Sequence, residues 1–122
     1  MAMSFRDMAQ RATSLSDIME GRDKMTCKQL IEKYPDGVTI ADFDIVRNKK
    51  NEEYVIFTID EDDTIFVNGS TVLNRIFFDA VDAYDGEVSV ARREFKREGG
   101  LAVRLYMDKT KGGDDLIKVD VK

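Results

Sequence analysis

Val38-Thr39-Ile40-Ala41-Asp42-Phe43-Asp44-Ile45-Val46 decides the class of this chain. The stretch is rich in β-branched and aromatic residues and follows the stop Pro35-Asp36-Gly37, so it reads as a long strand. Its alternation slips in the middle. Val38 and Ile40 share one parity, whereas Phe43 and Ile45 share the other. A strand of period two would send one of these pairs to solvent. A bulge or sharp bend between them returns both to a single core.

Toward the C-terminus, Arg47-Asn48-Lys49-Lys50-Asn51-Glu52 is a polar turn. Glu53 to Ile59 is a second strand, Asp60-Glu61-Asp62-Asp63 an acidic turn, and Thr64 to Val67 a third strand. Asn68-Gly69-Ser70 breaks the pattern and starts a helix, with Ser70 or Asn68 as its cap. Val72, Leu73, Ile76, Phe77, Ala80, Val81 and Tyr84 then make one apolar face. Asp85-Gly86 ends that helix. Glu87 to Lys96 reads as a fourth strand and Leu101 to Met107 as a fifth, joined as a hairpin across Arg97-Glu98-Gly99-Gly100. Leu116 to Val121 alternates and fits a short edge strand or an extension of the barrel. The order predicts a mainly β (α+β) fold: an OB-like five-stranded barrel with a helix between strands 3 and 4. A small α+β sheet domain fits nearly as well.

Toward the N-terminus, residues 1–34 read as a helical or partly disordered extension to a barrel domain at 35–122. Met3, Phe5, Met8 and Leu15 give a weak apolar pattern. A second helix is better marked: Thr26 caps it, Gln29 completes a capping box, and Leu30, Ile31 and Tyr34 form its stripe.

A chain of 122 residues with 43% apolar and 35% charged side chains has material for one core and a well-solvated surface. The single Cys27 has no partner in the chain, which points to a reducing compartment. No apolar run approaches the length of about 18 residues that spans a bilayer. The N-terminus meets charge at once, unlike a signal peptide, so a cytoplasmic location is expected. The chain has no histidine, which removes the Ser-His-acid and Cys-His forms of catalysis. Asp60-Glu61-Asp62-Asp63 lacks the loop length and glycine of a calcium-binding hand. Gly99-Gly100 and Gly112-Gly113 match no phosphate loop. No enzyme activity, metal or cofactor is expected.

Charge is uneven despite the net −5. Residues 35–85 are strongly acidic, whereas Arg92, Arg93, Lys96, Arg97, Arg104, Lys109 and Lys111 outnumber the acids of the last hairpin. In the fifth strand Leu101, Val103, Leu105 and Met107 would point inward, leaving Arg104 and Tyr106 outside. Phe95 shares parity with Arg93 and Arg97. An outward Tyr106 and Phe95 among guanidinium groups would stack bases, while Arg92, Arg93, Lys96, Arg104 and Lys109 took phosphates. Lys49 and Lys50 would add a second basic contact from the loop after the first strand. The expected partner is single-stranded nucleic acid, DNA before RNA. The alternative is a protein-interaction or assembly module that docks itself or a partner through residues 3–34, by Met3, Phe5, Met8, Leu15, Ile18 and Met19.

Val38-to-Val46, Tyr54-Val55-Ile56-Phe57, Thr64-to-Ser70 with its helix, and Leu101-to-Lys111 with Thr110-Lys111-Gly112-Gly113 resemble small proteins of phages and mobile elements. Some of these are single-stranded-DNA-binding proteins with OB-like barrels. The resemblance covers about residues 36–122 and implies passive strand binding in DNA metabolism. Two features depart from it: the C-terminus is mixed in charge, not acidic, and the chain has no tryptophan.

Overall fold

The slip at Ala41 is a bulge. In the computed structural model, which describes residues 16–122, Ile40 pairs with Ile59 and Asp42 with Thr58, leaving one residue over. Val38, Ile40 and Phe43 are therefore all buried on one side, with Ile45 packed beside them.

The chain order is β1 (Asp23–Met25), α1 (Cys27–Lys33), β2 (Val38–Arg47), β3 (Glu53–Ile59), β4 (Asp62–Asn68), α2 (Thr71–Asp82), α3 (Val88–Arg97), β5 (Leu101–Lys109) and β6 (Asp115–Val121). The strands form one sheet in the order β1-β4-β3-β2-β5-β6. Only β1 runs parallel to its neighbour, β4. The sheet curls through 188° and stops, with its edges 14 Å apart. This open six-stranded half-barrel replaces the expected five-stranded OB-like barrel, and the resemblance to phage and mobile-element single-strand binders falls with it. The long helix follows β4 instead of a third strand, because β1 adds a strand from a segment the sequence assigned to an extension.

The expected fourth strand is a helix. Val88-Ser89-Val90 alternates as a strand would, but Val88, Ala91 and Phe95 fall at spacings of three and four and face the core. The intervening Arg, Glu and Lys residues are strong helix formers. Glu94 and Arg97 add an ion pair at 2.6 Å across one turn, and Lys96 and Arg97 suit the negative end of the helix. No hairpin joins residues 87–107. At the junction Gly100 has φ +82°, and a side chain there would overlap the carbonyl oxygen of Ile40.

The other helices carry the expected caps. Thr26 Oγ1 accepts from Gln29 N–H at 3.1 Å, and the Gln29 side chain accepts from Thr26 N–H at 2.9 Å. Ser70 caps α2. Both helices lie on the concave side of the sheet: α1 touches β4 and β5, and α2 touches β3 and β6. Leu30, Leu73, Phe77 and Val81 meet Val55, Phe57, Val67, Val103 and Leu105 there. Phe43 stacks on Phe77 at 4.5 Å, and Phe95 meets both rings edge-on at 5.3 and 5.5 Å. Each such ring contributes about 1.5–3 kcal/mol by leaving water.

The convex side has a smaller cluster of Val46, Ile56 and Phe66, closed by Ile18, with Met19 and Tyr54 at its rim. Ile18 and Met19 thus serve the chain's own packing. Met3, Phe5, Met8 and Leu15 lie outside the described residues. No helix among the described residues is long and apolar enough to cross a membrane.

Candidate functional site

The nine residues expected to bind a nucleic-acid strand stand on a helix, a strand and a turn. Phe95 is half-buried and packs against the core, edge-on to Phe43 and Phe77. β5 pairs with β2 only at Val38, Thr39 and Ile40, and beyond the bulge α3 lies along β2 instead. Arg92, Arg93 and Lys96 therefore stand on that helix, while Arg104, Tyr106 and Lys109 stand on β5, which runs the other way from the junction. Lys49 and Lys50 sit in the turn at the far end of β2, roughly 23 Å from Ile40 at the rise of an extended strand. That turn is built by Asn48, whose side-chain oxygen accepts from Lys50 N–H and Glu52 N–H.

Arg92 is a clasp. Beyond the bulge, where β5 is missing, the Asp42 and Asp44 carboxylates cap the N–H groups of Phe43 and Ile45 at 2.8 Å each. Both carboxylates are only 19% exposed, and Arg92, 16% exposed, lies between them at 2.8 and 3.6 Å. Its guanidinium also grips Asp17 through two bonds of 3.1 Å, and Ser16 Oγ donates to Asp44 at 2.6 Å. The hydrogen bond to Arg92 holds the Asp17 carboxyl below the ordinary aspartate range, and the bond to Asp42 holds the Arg92 proton more firmly still. This guanidinium is committed to its own chain. Lys96 is drawn to the same Asp42 at 3.8 Å.

On β5 and β6 the convex face is balanced, not basic. Arg104 lies over the Tyr106 ring at 4.8 Å and stands opposite Asp120. Lys118 binds Asp108 at 2.7 Å on the same face, and on the other face Lys109 binds Asp115 at 3.6 Å. The bond from Lys118 lowers the Asp108 pKa and raises that of Lys118. A single strand would meet alternating signs here.

The feature that sequence reasoning passed over is the edge of β6. Lys122 N–H donates to Ala102 and Thr110 N–H to Asp114, and the register between them is unbroken. Antiparallel bonding alternates along a ladder, so the even-numbered residues of β6 bond β5. Ile117, Val119 and Val121 turn their N–H and C=O groups the other way. No hydrogen bond among the described residues reaches those outer groups. β6 has no proline and no bulge; of the usual protections of a free edge it carries only charge, in Asp115, Lys118 and Asp120. Its odd-numbered side chains continue the concave apolar side, where Ile117 and Val119 join the core and Val121 is 57% exposed. Alternation in Leu116–Val121 signalled a strand; its free side needed the sheet order.

Elsewhere the chemistry is sparse. An open cleft of about 330 Å³ has Ile45, Phe78, Val81 and Val88 in its wall, with the carboxylates of Glu53 and Asp82. Among the described residues no group of three acids or thiols is placed to hold a metal ion. Cys27 is buried, donates to the carbonyl of Asn68 at 3.0 Å, and has its pKa pushed up to about 11 by burial. Comparison with protein families, with curated proteins and with solved structures gives no match to this chain.

Proposed function

We propose that the protein is a non-catalytic protein-interaction module that takes up an extended segment along the free edge of β6. The observation that carries this reading is the outer row of β6: N–H and C=O groups at Ile117, Val119 and Val121, unpaired among the described residues, on a strand with an unbroken ladder behind it. Strand addition uses such main-chain groups for affinity and alternate side chains for choice of partner. The exposed Val121 gives an incoming strand an apolar contact on one side, and Lys118 and Asp120 give it a charge pattern on the other. The residues of the nucleic-acid reading stand on a helix, a hairpin and a turn, and of them Arg92 is held by Asp17 and Asp42 and Phe95 packs against the core.

Val119→Pro is the test. Proline removes the outward N–H of residue 119 while the ladder to β5 keeps its bonds, a placement that edge strands tolerate. With an immobilised library of random octapeptides as probe, wild type is expected to retain a set of peptides that Val119→Pro loses by about tenfold or more. Identical binding by the two proteins overturns the reading. So does retention of labelled single-stranded DNA that is lost in Arg104→Ala and unchanged in Val119→Pro.

A further inference from the structure

We infer that the segment taken up by β6 is β6 of a second copy of this chain, paired antiparallel about Val119. This rests on the reading of β6 as an accepting edge and names its partner. A two-fold axis pairs residues symmetrically about one position, and only the odd-numbered residues of β6 present outward main-chain groups. Three registers are then worth comparing. Centred on Lys118, the pairing sets Lys118 against its own copy. Centred on Ile117, it sets Asp120 against Asp114. Centred on Val119, it sets Val119 against Val119 and Ile117 against Val121, and it places Lys118 opposite Asp120 on both sides of the axis.

Only the last register is complementary in charge throughout. The facing Lys118 and Asp120 are non-hydrogen-bonded pairs in the new ladder, the kind whose side chains come closest. Both sit on the convex face, because each lines up with Tyr106 or Arg104 across β5. On the other face Ile117, Val119 and Val121 of the two copies form one apolar row. Val121, the most exposed large hydrophobic residue among those described, is covered there by Ile117 of the second copy. The charges that look like edge protection thus act as a register code: they reject two alignments and match a third.

Charge exchange reads that register directly. Lys118→Asp alone places acid against acid at both facing pairs, and Asp120→Lys alone places base against base. An equimolar mixture of the two variants restores opposite charges at both pairs. Sedimentation velocity of the full chain over a concentration series is expected to show a wild-type dimer, each variant alone weaker by about tenfold or more, and recovery on mixing. Lys118 also binds Asp108 within the chain, so circular dichroism should show that each variant is folded. Recovery on mixing cannot come from a folding defect. A wild type that stays monomeric, or variants that associate as wild type does, overturns the inference. If that monomer still binds displayed peptides in a manner sensitive to Val119→Pro, only the second copy is lost. If it does not, the edge reading is lost with it.

Discussion

Arg92 shows how a single side chain settles what a strand face can do. Two carboxylates stand side by side on β2 because the bulge at Ala41 ends the pairing with β5 and leaves N–H groups for Asp42 and Asp44 to cap. Without a cation between them they would be mostly buried like charges. Arg92→Met is therefore expected to cost about 2 kcal/mol in urea unfolding, below the usual cost of breaking a fully buried pair because the cluster keeps some water. The same cluster sets an acid dependence. Asp17 is held below its ordinary value of 3.8, so its contribution is complete above that value and is lost as pH falls through the lower, folded one. Stability measured from pH 6 downward is expected to decline below about pH 4, and to decline less in Arg92→Met. Equal slopes in the two proteins would remove Arg92 as the cause.

At the scale of elements, the junction between α3 and β5 is the most constrained turn. Gly100 combines a left-handed backbone with close approach to the Ile40 carbonyl, so Gly100→Ala has no low-energy escape. A loss of about 3 kcal/mol or more is expected, read by chemical denaturation, against about 1 kcal/mol for Gly113→Ala. Gly113 is also left-handed, but its site is open. The same segment marks where sequence reading succeeded and where it did not. β5 and α2 were legible because each carries one clean period, β3 because it is an apolar run between polar turns, and β2 even across its bulge, which the change of parity marks. α3 was not, because Val88-Ser89-Val90 mimics a strand for three residues and the helical spacing to Ala91 and Phe95 appears only afterwards. The error moved Phe95 from core to surface, and Arg92 from clasp to contact. β1 is a three-residue strand with no pattern of its own, and its place depends on pairing with β4.

For the whole molecule, α1 ties β4 to β5 and α2 ties β3 to β6, so the sheet cannot part between them without α1 or α2 leaving. Cys27 reports on that event, since it opens α1 and its buried thiol bonds the end of β4. With a thiol pKa near 11 and no access, it is expected to react with a disulfide reagent at about pH 8 far more slowly than an unfolded cysteine, whose value is near 8.5. The labelling rate should rise with urea in step with the loss of circular dichroism. Rapid labelling of the native protein would show that α1 detaches by itself. The candidate site was less legible than the core for a related physical reason: core positions declare themselves by hydrophobic period, whereas the exposure of a strand edge depends on which other strands lie beside it.

The two borders of the sheet are unequal. On one side β6 offers seven residues; on the other β1 offers three, running in the parallel sense. A molecule with long edges on both sides could stack head to tail without end, since a heterologous contact that fails to close grows into a fibre. Here an edge that pairs with its own twin is used up in the act, and what remains exposed on the far side is too short to recruit a third chain. Assembly stops at two.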